Sequence, residues 1–519
     1  VGWSLMAGRQ GGAAFGNGIA METSGILIIF ALALPWFAMG LLALSGPWSR
    51  GRAPARWVWL VPAAATAVFL LLCGQGFARG QEVAEVLSLF PETGIRMSLQ
   101  IDGLSLFFGL VVAGMGTLIF LYTGGYFEEK PKEFRPFYLY LLLFLAAMLG
   151  TVFSGNLLFL YIWWELTGIA SFFLIGYLHR SAESRAGARM ALLTTVTTGM
   201  CLLAGILLVG LTAGTFEITE LAGRADDLAG DPLWQAGFIL IVLGAFGKSA
   251  QFPFFYWLPN AMAAPTPVSA YLHSATMVKL GVFLVARIFP IFRPLDMWVP
   301  LLILIGFSTF LLGAFLSLMS HKLKAILAFS TVSQLGFLIG FYGMSPVNGT
   351  HWDFLHILNH VLYKGALFMV VGILDHSTGI KDIRQLGGLR QRMPLLFLIT
   401  LISAASMAGV IFTSGFLSKE YMLKEKLDYL TDGVFLNFFP ILLVIIGSVF
   451  KVAFSARFVL HIFFGREPEA VGNHFHKPSL FFQMPPAILA GITLLCGLFP
   501  VLLERSLGAF HVAGLHADP

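Results

Sequence analysis

The sequence places ionisable side chains inside long apolar runs, where they could carry charge or protons. Glu165 lies in the run Leu-Tyr-Ile-Trp-Trp-Glu-Leu-Thr-Gly, and Lys248 lies in Gly-Ala-Phe-Gly-Lys-Ser-Ala-Gln-Phe-Pro. A charge at the centre of a bilayer costs at least ~2.5–3.5 kcal/mol on insertion scales, so each such group needs a partner, water or a function. The candidate functional residues are Glu165, Lys248, His273, Lys279, His356, His360, Lys364 and Lys419.

One group of candidates has helical spacing. His356, His360 and Lys364 follow one another at intervals of four residues, so they share one face of a helix. The two histidines have the spacing of zinc ligands, but Lys364 would repel a cation and no third ligand is evident. The three cysteines lie far apart without a Cys-x-x-Cys pair, and no glycine-rich phosphate loop follows a strand. We therefore expect no bound cofactor, and the sequence leaves any metal site unassigned.

These residue types favour a proton relay. A lysine withdrawn from water releases its proton more readily than an exposed lysine, and a nearby carboxylate reverses that effect. A Glu165–Lys248 pair that opens and closes would therefore switch the lysine between releasing and holding a proton. Histidines titrate near neutral pH, and interrupted helices leave backbone groups that hold water. Pro253, close after Lys248, predicts such an interruption.

Each candidate also has a purely structural interpretation. Glu165 could serve simply to neutralise a buried lysine. Lys279 could extend from a helix end to the interface. His273 could be a core histidine bonded to a carbonyl. Three further residues of a later apolar run are interpreted as orientation or packing residues, namely Lys451, Arg457 and His461.

The composition excludes most other classes of protein. The chain has 519 residues, of which 57% are hydrophobic and 11% charged, and the mean hydropathy is +0.83. Soluble proteins carry roughly 45–50% apolar and about 25% charged residues. A soluble enzyme, a disordered chain and a disulfide scaffold are therefore excluded. The net charge of +5 is better explained by loop residues that orient a membrane protein than by nucleic-acid binding.

The elements that must position the candidates are transmembrane helices. About fourteen runs reach the roughly 20 apolar residues that cross a bilayer. The expected fold is all-α and polytopic, with two inverted five-helix repeats and two broken helices, the seventh and the twelfth, which carry Lys248 and Lys419. The predicted division is an N-terminal extension 1–24, three helices in 25–136, a first repeat 137–290, a second repeat 298–464, and a last helix and tail 480–519.

Loop charges predict the orientation of these helices. Basic loops, such as the one with Arg180, Arg185 and Arg189, alternate with acidic loops, and loops rich in Lys and Arg stay in the cytoplasm. We therefore expect a multi-pass protein of a prokaryotic plasma membrane with both termini outside. A start at Met21 is compatible with the first apolar run, which we interpret as a membrane span because many others follow.

Several segments resemble one family of membrane proteins. They are 101–105 (Ile-Asp-Gly-Leu-Ser), 164–166 (Trp-Glu-Leu), 247–253 (Gly-Lys-Ser-Ala-Gln-Phe-Pro), 257–262, 264–279, 323–336 and 360–368. They are similar to the antiporter-like proton-translocating subunits, which include the long antiporter-like subunit of respiratory complex I and the antiporter-like A subunit of Mrp-type cation/proton antiporters. Segments 269–279 and 415–420 are more similar to the Mrp protein, and the resemblance covers residues 85–500.

The resemblance implies roles for seven of the eight candidates, all except Lys279. Glu165 and Lys248 would form the coupling pair, and Lys419 would be the lysine near the proton exit. The residues implied to line a central hydrophilic axis are His273, His356, His360 and Lys364.

The function implied is proton translocation in a multi-subunit Na⁺/H⁺ antiporter, a secondary transporter and not an enzyme. Its partners would be other membrane subunits, H⁺, Na⁺ and the lipid bilayer, without nucleic acid. No sodium site is evident. The alternatives are a proton-conducting subunit of an inorganic-carbon uptake complex, or of a redox-driven pump of the complex I or membrane-bound hydrogenase type. The Mrp relative usually continues beyond the equivalent of Pro519, so the chain is either a short relative or a piece of a longer product.

Overall fold

The structure is a computed structural model that describes residues 14–44, 57–79, 85–89, 97–127, 134–344, 352–430, 438–466, 468 and 475–500. Parts of the predicted N-terminal extension and of the tail therefore lie outside the described residues. The first half contains α1 (Ala14–Leu44), α2 (Leu60–Arg79), β1 (Glu85–Leu89), β2 (Met97–Ile101), α3 (Gly103–Tyr126), α4 (Phe134–Val152), α5 (Leu157–Ile175), α6 (Ala182–Ala213), α7 (Ile218–Ala222), α8 (Ala225–Leu228) and α9 (Pro232–Lys248).

The second half continues with helices alone. They are α10 (Trp257–Asn260), α11 (Thr266–Ser274), α12 (Leu280–Phe292), α13 (Trp298–Met319), α14 (Leu323–Gly343), α15 (Trp352–Thr378), α16 (Pro394–Ala408), α17 (Ser414–Leu430), α18 (Phe438–Phe463) and α19 (Leu480–Leu498). The short 3₁₀ turns are Phe254–Tyr256, Ala261–Ala263, Met277–Lys279 and Ile383–Gln385. The strands β1 and β2 pair antiparallel, with Glu85 opposite Ile101, and this hairpin was not predicted.

The all-α polytopic prediction is confirmed. In the described ranges, 11 helical segments are long and apolar enough to cross a membrane, and three shorter apolar helices lie in α2, α9 and α16. The two predicted breaks are also present. The helix α9 ends at Lys248 and is followed by irregular backbone and short turns, while α16 ends at Ala408 before a left-handed Gly409 with φ +85°.

A third interruption was not predicted. The sequence suggests one continuous helix over residues 268–290, but α11 ends at Ser274 and α12 begins at Leu280. The hydroxyl of Thr276 donates to the carbonyl of Tyr271 at 2.7 Å, and Ser274 donates to the carbonyl of Ala270. Hydroxyl groups that bond nearby carbonyls compete with the helical ladder, which accounts for a break without proline.

Three elements form the centre of the bundle. Buried residues make up 94%, 89% and 89% of the apolar part of the spans Asp353–Thr378, Leu323–Gly343 and Thr266–Phe292. In the span of α18 their share is 33%. The centre therefore consists of α15, α14 and the α11–α12 pair. Helix α15 carries His356, His360 and Lys364, so the predicted stripe lies in the interior of the protein.

Small residues allow the helices around the candidates to approach closely. A methyl group at Gly205 of α6 would lie 2.6 Å from the carbonyl oxygen of Gly237 in α9. Packing of this kind brings helix backbones together in membranes. The same face of α6 contacts the end of α9, where a methyl group at Gly247 would overlap Thr198. The α6–α9 contact therefore fixes the position of Lys248.

A buried ion pair joins α3 to α12. The guanidinium of Arg287 bonds both carboxylate oxygens of Asp102, and its Nη2 donates to Ser105 Oγ at 2.6 Å. Asp102 also caps α3, where it accepts from the backbone N–H of Ser105 at 2.8 Å. Burial alone raises the pKa of Asp102, but Arg287 and the bonds from Arg287 and Ser105 hold that pKa below its ordinary value.

We expect Asp102→Asn to lower the free energy of unfolding by about 3–5 kcal/mol, because Arg287 is left buried without a counter-charge. A lowered folded-state pKa means that the pair stabilises the protein above the unfolded pKa of about 3.9, and that this contribution is lost as the pH falls through the folded pKa. Thermal unfolding in detergent across acid pH measures both effects. The control is Asp382→Asn, which removes an exposed pair with Arg384. Equal stability of the two variants would contradict the prediction.

Candidate functional site

Glu165 and Lys248 lie near each other but do not form an ion pair. Lys248 is 1% exposed at the end of α9, and its Nζ donates to the carbonyl of Trp164 at 3.0 Å. Glu165 is half-buried, and its Oε1 finds no hydrogen-bond partner among the described residues. The two charges interact electrostatically, but their distance exceeds the 4.0 Å of an ion pair. The structure therefore shows the predicted pair in an open arrangement.

The carboxylate of Glu165 faces α6. A methyl group added at Gly199 would lie 2.1 Å from Glu165 Oε1, so a larger residue would displace the carboxylate. Lys248 also reaches this side of α5, where its Nζ would be 3.6 Å from a methyl group at Gly168. Small residues of α5 and α6 thus make room for both groups of the pair.

The third interruption places Lys279 beside the central stripe. Its Nζ donates to the carbonyl of Ser274, the last residue of α11, and contacts His360 Nδ1 at 2.8 Å. Lys279 is 0% exposed, so it does not extend to the interface. An ammonium can donate only to an unprotonated ring nitrogen. A charged Lys279 therefore requires His360 Nδ1 to be without a proton in this contact.

The stripe on α15 is hydrogen-bonded to the neighbouring helices. His356 Nδ1 lies 2.6 Å from Ser418 Oγ of α17. Lys364 donates to Ser330 Oγ and, at 3.3 Å, to the carbonyl of Leu327, both in α14. The three members of the stripe are buried on one face, as their spacing predicts.

Lys419 lies at the second predicted break. Its Nζ donates at 2.7 Å to the carbonyl of Ala408, the last residue of α16. The last carbonyls of a helix lack partners within the helix and carry the negative end of its dipole. Lys279 has the same environment at the end of α11, and Lys248 is itself the last residue of α9. Two of the three interruptions therefore hold an amine at the carbonyl end of a helix, whereas the Nζ of Lys248 donates to Trp164 within α5.

His273 is buried, but it takes no part in these contacts. Neither ring nitrogen has a hydrogen-bond partner in the described part of the chain, and the same holds for Thr266 Oγ1 and Ser269 Oγ on the same face of α11. The rings of Trp257 and Phe368 lie 6.1 and 6.4 Å away. The interpretation as a core histidine bonded to a carbonyl is therefore wrong, and a direct bond from His273 to the Lys279–His360 pair is not present either.

Two lysines beside the site were not among the candidates. Lys324 donates to the carbonyl of Ala264 at 2.9 Å and interacts electrostatically with His273. Lys451 is 4% exposed in the middle of α18 and donates to Gln334 Oε1. An orientation role does not fit a buried amine, so that interpretation of Lys451 is corrected. Its position inside an apolar run was the signal that could have identified it.

For the other two residues of that run, the interpretation as orientation or packing residues stays a prediction. Arg457 donates to the carbonyl of Leu318 and lies 2.8 Å from His321 Nδ1, and His461 is exposed. The described residues contain no group of three or more His, Cys, Asp or Glu side chains that could hold a metal ion.

These features define the class of protein. It is a polytopic helical membrane protein whose interior holds a series of amines and imidazoles from one broken helix to the other. Residues 154–447 match the family model described as NADH:quinone oxidoreductase/Mrp antiporter, TM, and residues 90–138 match the model of the complex I chain 5 N-terminus. The chain belongs to the NADH:quinone oxidoreductase/Mrp antiporter family.

Named relatives agree with this assignment. The chain is 41% identical to the A1 subunit of the Na(+)/H(+) antiporter of Staphylococcus aureus over 459 residues, which are 85% of this chain and 57% of that protein. A chain of the Mrp complex from Dietzia sp. DQ12-45-1b is 32% identical with a TM-score of 0.79, and the match covers 95% of this chain and 53% of that one. The chain thus spans little more than half the length of these relatives.

A more distant structure shares the fold. A chain of the membrane-bound sulfane sulfur reductase, an archaeal respiratory membrane complex, superposes with a TM-score of 0.83 at 21% identity, and the match covers 93% of this chain and 96% of that one. At this identity the similarity concerns the fold alone.

We expect two glycine substitutions in α6 to differ in cost. Gly205→Ala places a methyl group against the backbone of α9, which cannot move without disturbing the helix, so it should destabilise the protein by about 1–3 kcal/mol. Gly199→Ala meets only the flexible end of Glu165, which can rotate away. Thermal unfolding in detergent compares them, with Gly114→Ala as the control because its methyl group meets only Thr66 at 3.9 Å. A Gly205→Ala protein as stable as the control would contradict this packing.

Proposed function

We propose that the chain is the proton-translocating subunit of a multi-subunit Na⁺/H⁺ antiporter in a prokaryotic plasma membrane. The observation that carries the proposal is the contact of Lys279 with His360 at 2.8 Å in the centre of the bundle, where neither group reaches solvent. Two titratable groups in contact inside a membrane protein are costly, and a proton relay is a task that requires them. The similarity to the named antiporter subunits supports the same conclusion.

The proposed relay begins at the pair of Glu165 and Lys248. In the open arrangement Lys248 is held by the neutral carbonyl of Trp164, which permits release of its proton. Approach of the Glu165 carboxylate would stabilise the ammonium and reload the lysine. Movement of this one pair would thereby control when the rest of the series receives a proton.

The central groups then pass the proton across the bundle. Lys279, His360, His356 and Lys364 are the proposed carriers in the middle, and Lys419 is the proposed carrier at the second break. His273 has no protein partner for its ring nitrogens among the described residues, so transfer to or from it requires water beside Thr266 and Ser269. Interrupted helices accept water because their backbone groups are free.

The domain division and orientation belong to the same proposal. The segments 137–290 and 298–464 would be inverted five-helix repeats, each with one interrupted helix near its functional lysine. Both termini would face the outside, with the basic loops in the cytoplasm. The Na⁺ ion would be carried at a partner subunit or an interface, because the described residues hold no cluster of acidic ligands. The protein would act as part of a secondary transporter and not as an enzyme.

Two other assemblies use the same chemistry. An inorganic-carbon uptake complex or a redox-driven pump would also need a proton-conducting subunit of this fold. The subunits that copurify with the chain distinguish these assemblies. Small membrane subunits would support the antiporter, a large soluble zinc protein the carbon-uptake complex, and iron–sulfur or quinone subunits a redox complex.

Replacement of the first relay lysine tests the function. We expect Lys248→Ala to reduce Na⁺-dependent dissipation of a pH gradient by at least about tenfold, because a positioned proton carrier is lost. Glu165→Ala should have a similar effect. The measurement uses vesicles that contain the complete complex, and the control is Arg384→Ala, which changes an exposed residue of the 3₁₀ turn Ile383–Gln385. Undiminished proton flux in the Lys248→Ala complex would exclude the proposed relay.

A further inference from the structure

Lys451 is a buried amine with a specific hydrogen-bond partner, which packing alone does not require. Its Nζ donates to Gln334 Oε1, and the same oxygen accepts from the hydroxyl of Tyr363 at 2.9 Å. The amines of Lys451 and Lys364 each lie 5.7 Å from the centre of the Tyr363 ring. Lys451 is therefore linked through Gln334 to Tyr363, which directly precedes Lys364 on the central helix α15.

A small cavity connects Lys451 with two of the predicted relay residues. The cavity has a volume of about 40 Å³, and its polar lining includes Lys451, His356, Lys419, Gln334 and Ser448. A water molecule needs roughly 10–15 Å³ of such volume and two to four polar partners. The cavity therefore has room for water, and its lining offers such water the polar groups of His356, Lys419 and Lys451.

The charges around the cavity are all of one sign. Lys451 interacts electrostatically with Lys419, Lys364, His356 and His360. The ion pairs Arg287–Asp102 and Arg384–Asp382 do not involve these groups. Like charges repel strongly in a medium of low dielectric constant. A proton that arrives at one group of this set therefore favours the release of a proton from another.

We propose that Lys451 is a proton carrier that links the α15 stripe to Lys419 through water in this cavity. The inference rests on the proposed function and extends it to a residue outside the predicted relay. In the first step an N–H bond of the His356 imidazolium breaks as an O–H bond to water forms, and that water passes a proton to the neutral amine of Lys451. In the following step an N–H bond of the Lys451 ammonium breaks as an O–H bond to water forms, and that water passes a proton to the neutral amine of Lys419.

A structural cation at this position would behave differently from a proton carrier. Arginine keeps the positive charge and can donate to Gln334, but it does not release its proton in proteins. Methionine has a similar length and removes the charge. A structural role for the charge predicts that Lys451→Arg works and Lys451→Met fails, whereas a carrier role predicts that both fail.

The test measures Na⁺-dependent dissipation of a pH gradient in vesicles with the complete complex. We expect both Lys451→Arg and Lys451→Met to lose at least about tenfold in flux while the complex assembles normally. His461→Gln is the matched control, because it changes a titratable but exposed residue of the same helix. Normal flux in either Lys451 variant would overturn the inference.

A second measurement does not depend on transport. A high-resolution map of the wild-type complex should show ordered water between Lys451, His356 and Lys419, whereas a dry cavity would overturn the inference even if the variants were inactive. Failure of the wild-type complex to exchange Na⁺ for H⁺ would instead contradict the proposed function. The two proposals can therefore fail separately.

Discussion

A cation inside a membrane protein must be solvated by the protein itself, and here the ends of interrupted helices provide part of that solvation. Within a continuous helix each carbonyl accepts from the N–H four residues later, so an ending helix leaves its last carbonyls without a helical partner. Lys279 binds the last residue of α11 and Lys419 binds the last residue of α16. Lys248 itself closes α9. The breaks thus supply carbonyls for Lys279 and Lys419, whereas Lys248 donates to a carbonyl within the continuous helix α5.

The scarcity of negative charge is the second constraint. Glu165 is the acid beside Lys248, and it is half-buried at the contact with α6 and not inserted among the central cations. Around α15 the amines and imidazoles face hydroxyls, an amide and one another. Their mutual repulsion prevents all of them from holding protons at the same time. A set with fewer protons than sites can accept a proton at one end and release one at the other.

Much of this arrangement could be predicted from the sequence, because hydropathy identifies charges in apolar runs and a four-residue period places His356, His360 and Lys364 on one face. Pro253 also revealed the first break. The interruption at Lys279 could not be predicted in the same way, since it depends on serine and threonine hydroxyls that also occur in continuous helices. The contact of Lys279 with His360 joins residues 81 positions apart and depends on packing. Lys451 was visible in the sequence, but its partner Gln334 lies on another helix and gave no signal.

The buried arginine and the buried lysines are solvated in opposite ways. Arg287 does not release its proton, and it is paired with the carboxylate of Asp102, so a permanent charge has a permanent counter-charge. The lysines at the site are bound by neutral acceptors, which are carbonyls for Lys248 and Lys419, an imidazole for Lys279 and an amide for Lys451. A lysine that loses its proton beside a neutral acceptor leaves no unpaired buried charge, whereas a lysine beside a carboxylate would leave an anion. In the proposed relay, neutral acceptors would therefore keep the ammonium and amine forms close enough in free energy for the proton to move.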